Sequence, residues 1–214
     1  MHFLITAGGT REYIDPVRFI SNASSGRMGY ALAEAALQAG HKVTLISTSQ
    51  LQPPVEVEFV DVDSASEMFT AVKKFFPGCD CLIMAAAVAD YRPVKYSKTK
   101  IRKGKKLLTI KLKPTIDILK WAAKQKHKTK NSKLKTKIVV GFALEDRNLK
   151  ANAERKLKEK NLDMIIANRP DSIGSDETEA YTKAVSSEWK RISLNTKKAV
   201  AGKIISLVEQ TYQK

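Results

Sequence analysis

A doubly wound α/β fold, with a mostly parallel sheet and helices on both of its faces, is predicted by three features of this sequence. Short apolar runs alternate with helix-length segments whose apolar positions recur every three or four residues. The first run passes directly into paired glycines, as a buried strand does on entering a tight backbone turn. Of 214 residues 43% are hydrophobic, enough to close one core, so residues 1–214 are read as a single domain.

Residues 2–6 are the first strand, ending at Ala7-Gly8-Gly9-Thr10. A loop follows, then a helix over residues 26–39, with apolar Met28, Ala31, Leu32, Ala35 and Leu37 and a stop at Gly40. Strands are expected at 42–47 and 55–60, a helix at 64–76 capped by Ser64, and a fully buried strand at 80–87. Right-handed β-α-β crossovers connect such strands. The rhythm breaks over residues 92–114, a β excursion in which residues 107–113 alternate apolar and polar as a half-exposed antiparallel strand does. It resumes with a helix at 116–126, a strand at 138–142, a basic amphipathic helix at 148–160 and a strand at 164–167. Residues 180–185 and 188–192 have hairpin character, and 199–208 is a closing helix. The architecture expected is therefore Rossmann-like.

Bulk properties exclude several functions. No apolar run approaches the roughly 20 residues that span a bilayer, and the N-terminus has no signal-peptide pattern, so a cytoplasmic location and no membrane partner are expected. Cys79 and Cys81 are expected on opposite faces as packing residues, without a mutual disulfide. His2, His41 and His127 are scattered, and no protein metal site is expected. The net charge of +16 suits nucleic acid, an anionic surface or polyanionic small molecules alike. Residues 120–137 carry eight lysines but no aromatic beyond Trp121, which favours a solvated helix end and loop over a nucleic-acid patch.

In open α/β sheets ligands gather at the carboxyl ends of the strands, and three segments fall there. In the first, Gly8 and Gly9 let an anion approach the main chain, and Ser24, Ser25 and Gly26 precede a helix whose positive end suits phosphate. Any one of these glycines is explained by a tight turn; the cluster of Arg18, Asn22, Ser24, Ser25 and Arg27 before one helix is not. In the second, small residues including Ala86 and Ala87 leave room for a ligand, with the Asp90 carboxylate at the mouth. The third is the basic run 98–103, either a solvated charge run or a flap over a triphosphate. A dinucleotide-binding reading fits less well. The loop between Gly9 and Gly26 is too long for the compact fingerprint, and the strand ending Leu45-Ile46-Ser47-Thr48 lacks an acid for the ribose. Tyr91 and Lys95 have the spacing of a reductase pair, but Pro93 argues against the helix that such a pair occupies.

The segments TAGGTR (6–11), DPVRFISNASSGRMG (15–29), AAAVADYRP (85–93), KIRK (100–103), VGFA (140–143) and KNLD (160–163) together resemble phosphopantothenate-cysteine ligase. That resemblance spans nearly the whole chain and implies a free-standing enzyme of coenzyme A biosynthesis, whose flavin-dependent decarboxylase is a separate protein, with no flavin in this chain. It implies attack of the 4′-phosphopantothenate carboxylate on CTP, release of pyrophosphate, and capture of the acyl-cytidylate by L-cysteine with loss of CMP. On it Lys100 is associated with forming the anhydride, Asn22 with the second half-reaction, and Arg18 with the phosphate or carboxylate of phosphopantothenate. Asp90, Phe142, Lys156 and Lys160 fall on nucleotide-contacting positions, and Asp117 lies in the base-binding turn. Magnesium accompanies the nucleotide, and a homodimer is implied, with the excursion as a dimer arm or flap. Thr115-Ile116-Asp117-Ile118 and Ile173-Gly174-Ser175-Asp176 depart from the family pattern, which leaves ATP as the alternative nucleotide. An NAD(P)-dependent reductase or epimerase and a basic nucleic-acid-binding protein are the remaining alternatives.

Overall fold

The computed structural model describes residues 1–126, 137–170, 178–194 and 196–213. Along the chain come β1 (His2–Ala7), a hairpin of β2 (Arg11–Tyr13) and β3 (Phe19–Ser21), α1 (Arg27–Gln38), β4 (Lys42–Ser47) and β5 (Glu58–Asp61). They are followed by α2 (Ala65–Phe75), β6 (Cys81–Met84), β7 (Tyr91–Pro93), β8 (Leu112–Pro114) and α3 (Ile118–Lys126). The last elements are β9 (Ile138–Leu144), α4 (Leu149–Glu159), β10 (Met164–Asn168), β11 (Thr178–Ala184), β12 (Lys190–Leu194) and α5 (Lys197–Tyr212).

The main sheet has the order β12-β11-β10-β9-β6-β1-β4-β5. Every neighbouring pair from β10 to β5 is parallel, and β11 and β12 extend the β10 edge in antiparallel fashion. The chain steps from β1 outward through β4 to β5, then returns to the other side of β1 with β6. The order thus reverses between β1 and β6, and that reversal opens a crevice at their carboxyl ends. Successive strand residues serve opposite layers: Phe3 and Ile5 pack with α1 and α5, whereas Leu4 and Leu82 pack with α2, α3 and α4. The expected Rossmann-like layers are therefore present.

Local chemistry explains the helix ends. Ser64 accepts a hydrogen bond from the Glu67 amide at 3.2 Å and the Glu67 carboxylate accepts one from the Asp63 amide at 2.8 Å, a reciprocal cap on α2. Gly40, at φ 79°, ends α1, its N–H and that of His41 turning back to the Leu37 and Ala36 carbonyls. Gly29 is where α1 touches β1: a Cβ there would lie 2.5 Å from the Ala7 Cβ and 3.1 Å from the Thr6 carbonyl oxygen.

The structure corrects some expectations. Within residues 107–113 only the last two are in a strand, because the β7–β8 ribbon pairs just Tyr91 with Pro114, Arg92 with Lys113 and Pro93 with Leu112. The ribbon does not join the main sheet, so its alternating residues have no core to face, and Leu107 is 99% exposed. The β2–β3 hairpin was not anticipated in the loop after β1. Strand β5 begins later than residue 55, after a turn in which Glu56 has φ 72°. Cys79 and Cys81 are free and buried in different layers, although two residues apart within one strand would share a face. They separate because Cys79 precedes β6, at the end of a 3-10 turn. Lys126, expected in a solvated helix end, is only 6% exposed and donates to the Asp163 carboxylate at 2.7 Å. Residues 127–136 and the 173–176 departure lie outside the described residues.

Two outcomes follow from this packing. Gly29→Ala gains about 1 kcal/mol of helix propensity but overpacks α1 against backbone at a cost of about 3 kcal/mol, a net loss of about 2 kcal/mol in urea unfolding. Burial pushes the Cys79 thiol up to about 12 and raises Cys81 well above its usual value. Neither should be titrated by a thiol reagent at pH 8 until the protein is unfolded, when both should react.

Candidate functional site

The turn after β1 is held by its own side chains. Thr6 Oγ1 accepts from the Ala86 amide at 3.2 Å, and the buried Thr10 Oγ1 accepts from the Ala89 amide at 2.9 Å. Thr115 adds a third tie by donating to the Ala89 carbonyl at 2.6 Å. These threonines fix residues 85–90 beyond β6 as one wall of a cavity of about 890 Å³ at the strand reversal. The size suits a nucleotide-sized ligand.

A second wall is residues 22–29, leading into α1. Asn22 donates its side-chain amide to the Ala87 and Val88 carbonyls at 3.2 and 3.3 Å. Gly26, the residue before α1, has φ 81° and no side chain with which to cap the helix; the Ser25 hydroxyl accepts from the Arg27 amide at 3.5 Å. The positive end of a twelve-residue helix is therefore presented at the cavity.

The third wall comes from β9, α3 and α4. Gly141 leaves room for Leu162, since a Cβ there would sit 2.7 Å from Leu162 Cδ1. Asn161 at φ 51° closes α4, and its last turn brings Lys156 and Lys160 to the cavity. Lys156 donates to the Phe142 carbonyl at 2.7 Å, and Lys160 pairs with Asp117 at 3.0 Å. Burial, then the neighbouring Lys160, hold the Lys156 ammonium below its ordinary value of 10.5, against the pull of Glu145, Asp117 and Asp90. Asp117 also caps α3 by accepting from the Lys120 amide at 2.9 Å. Its burial raises its pKa, but that amide and Lys160 outweigh burial and lower it.

Of the residues singled out from sequence, Asn22, Ser24, Ser25, Gly26, Ala86, Ala87, Asp90, Asp117, Phe142, Lys156 and Lys160 line this cavity. Gly8 and Gly9 are not among its lining residues: a Cβ at Gly8 would lie 2.3 Å from Thr48 Oγ1, and one at Gly9 would lie 2.5 Å from the Asn22 carbonyl oxygen. At both positions the missing Cβ makes room for neighbouring protein atoms. Arg18 and Lys100 are likewise not among the lining residues. Arg18 Nη1 donates to Asp15 Oδ2 at 2.5 Å and to the Ile101 carbonyl at 2.9 Å, next to Lys100 on the excursion. Tyr91 and Lys95 do not share a helix, because Tyr91 is in β7. Glu145 and Asn168 also line the cavity and were missed, although the position of both at carboxyl ends of strands was a usable signal. Lys197 arrives from the start of α5, and nothing local in the sequence announces it.

The fully enclosed Asp15 was missed as well. Its Oδ1 accepts from the Val17 and Arg18 amides at 2.8 and 2.9 Å, and its Oδ2 accepts from Arg18 Nη1 and from the Ile101 amide at 3.0 Å. Burial alone would raise its pKa; the Ile101, Val17 and Arg18 amides and the Arg18 guanidinium instead hold it at about 2. Among the described residues no group of three or more His, Cys, Asp or Glu side chains is placed to hold a metal.

Comparison with known proteins places this geometry in context. A family model described as the DNA/pantothenate metabolism flavoprotein C-terminal domain matches residues 1–212. The coenzyme A biosynthesis bifunctional protein CoaBC of Bacillus subtilis is 47% identical over 169 residues, covering 78% of this chain and 40% of the relative. A cysteine/cysteine sulfinic acid decarboxylase from an unknown prokaryotic organism is 44% identical over 207 residues, 94% of this chain and 56% of the relative. The chain thus spans about half the length of the curated relatives it matches. The crystal structure of the C-terminal domain of a CoaBC protein superposes with a TM-score of 0.82 at 38% identity, covering 99% of this chain and 95% of that one.

The cavity makes a stability prediction of its own. Asp117→Ala should cost about 1 kcal/mol through the lost helix cap, whereas Asp117→Asn, an equally good cap, should stay within about 0.5 kcal/mol of wild type because the half-exposed pair with Lys160 contributes little. Thermal unfolding of the two variants checks this.

Proposed function

The chain belongs to the DNA/pantothenate metabolism flavoprotein C-terminal domain family, and from that premise we propose that it joins 4′-phosphopantothenate to L-cysteine with CTP as the activating nucleotide, a step of coenzyme A biosynthesis in the cytoplasm. The observation that carries this reading is one cavity at the strand reversal that combines the N-terminus of α1 with Lys156 and Lys160. Both features favour phosphate, which nucleotide and acid substrate share.

In the first step a carboxylate oxygen of phosphopantothenate attacks the α-phosphorus of CTP. A new P–O bond forms, the bond to the β-phosphate breaks, and pyrophosphate leaves. Lys156 and Lys160 balance triphosphate charge from the end of α4, and the amides at the start of α1 receive phosphate oxygens. Lys100 neutralises charge growing on the phosphoryl group when the excursion covers the site. In the second step the cysteine amine attacks the acyl carbon, the bond to CMP breaks, and the amine loses a proton. Asn22, its amide nitrogen already committed to the strand-end carbonyls, is positioned beside the acyl group at that stage.

Magnesium belongs with the triphosphate. The cavity offers the carboxylates of Asp90 and Glu145, which would hold the ion together with phosphate oxygens and water. When bound, it supplies charge neutralisation on the phosphates. Assembly as a homodimer through the excursion is part of the same reading, since Val94, Tyr96, Leu107 and Leu108 are exposed apolar side chains there. Light scattering should report a dimer that Leu107→Glu with Leu108→Glu converts to a monomer.

The deciding experiment is pyrophosphate release with magnesium and 4′-phosphopantothenate, comparing CTP with ATP, with and without cysteine. Release with CTP, and a cysteine adduct only when cysteine is added, is expected; release with ATP alone overturns the choice of base, and no release with either overturns the ligase. Lys156→Met should raise the nucleotide Kd by roughly 10- to 100-fold, the value of a charge-assisted contact. Because Lys156 loses its proton more readily than an ordinary lysine, nucleotide affinity should fall as pH rises, before 10.5 is reached.

A further inference from the structure

The excursion is tied to the body of the protein at a point that the proposed chemistry does not use. Ile101 has both of its backbone polar groups bound by side chains: its N–H donates to Asp15 Oδ2 at 3.0 Å, and its carbonyl accepts from Arg18 Nη1 at 2.9 Å. The Asp15–Arg18 pair thereby offers Ile101 one acceptor and one donor, as a neighbouring strand would. A second tie, from the Ser97 amide to the Ile14 carbonyl at 2.9 Å, lies four residues earlier. Residues 94–111 form no strand or helix of their own; the Val94 N–H to Lys111 carbonyl bond at 2.9 Å closes their two ends, and the bonds at Ile101 and Ser97 tie the segment to the body.

The two oxygens of Asp15 divide the work. Oδ1 closes the local turn by accepting from Val17 and Arg18, whereas Oδ2, among the described residues, accepts from Arg18 Nη1 and Ile101. A carboxylate can do both, because all four lone-pair directions accept. An asparagine with its oxygen in the turn can do only the first. The side chain is fully enclosed, so water does not replace a lost partner at no cost.

We infer that Asp15 is a positioning residue: through Oδ2 it clamps the excursion at Ile101 and so fixes where Lys100, one residue away, presents its ammonium. Its consequence for turnover rests on the ligase reading above, whereas the clamp does not.

Asp15→Asn separates the two roles. Hydrogen exchange at the Ile101 amide should quicken by roughly 10- to 100-fold, the equilibrium weight of a hydrogen bond to a charged group, while Val17 and Arg18 amides and β1 amides keep their protection. Unchanged exchange at Ile101, or loss at Val17, Arg18 and Ile101 together, would falsify the clamp. In pyrophosphate release the variant should lose kcat at least 10-fold with the KM for nucleotide within about 2-fold, as expected when a group acting in the transition state is displaced. Freed exchange at Ile101 with kcat intact refutes the positioning role, and a wild type that releases no pyrophosphate refutes the ligase while the exchange result still decides the clamp. Should Asp15→Asn not fold, Ile101→Pro removes the same N–H and leaves the Asp15 turn alone. Tryptic cleavage after Arg102 and Lys103 then faster than in wild type supports the clamp, and an unchanged rate overturns it.

Discussion

The architecture of the site depends on how closely other chain segments approach the carboxyl end of β1. Gly29 seats α1 directly on Ala7, Gly8 admits Thr48, and Gly9 admits the main chain at Asn22. Each contact would be closed by a single methyl group. Because interiors are packed to crystal-like density, these contacts leave the start of α1 little freedom to move relative to the sheet. The helix start, the Asn22 turn and the wall beyond β6 consequently meet around one cavity, and the threonines at 6, 10 and 115 hold that wall from behind.

The electrostatics of the cavity follow from a different constraint. Two lysines one helical turn apart repel each other, and burial makes the charge on Lys156 harder still to hold. The protein offsets this with the Phe142 carbonyl, the end of the α4 dipole and the Asp117 carboxylate, which also caps α3. The same logic appears in mirror form at Asp15, where an enclosed carboxylate is held charged by three amides and a guanidinium.

Much of the parallel sheet was legible because strands buried on both faces are continuous apolar runs, as at 81–84 and 164–167. Helix α1 was legible from amphipathic spacing and its Gly40 stop, α2 from its Ser64 cap, and α4 from amphipathic spacing. The excursion was read wrongly where alternation over residues 107–113 was taken for a paired strand. Alternation is informative only when a core lies on one side, and here none does. What approaches Gly8 and Gly9 was not legible for a related reason: a glycine shows that something comes close to the main chain, but not that Thr48 and Asn22 do so here. The family resemblance brought Phe142, Lys156 and Lys160 to notice, which residue chemistry alone would have left as a core aromatic and a solvated helix face.

By itself the sequence determined the order of α and β segments, the glycines that allow close contacts, and the clustering of Arg18, Asn22, Ser24, Ser25 and Arg27 before α1. These are local properties, set by backbone permissiveness and by hydrophobic period. Only the tertiary structure decided that Asp117 and Lys160, distant along the chain, neutralise each other, and that Asp15 spends one oxygen on its own turn and the other on Ile101. Such pairings depend on which strands become neighbours, a choice made by burying the whole sheet at once rather than by any segment alone.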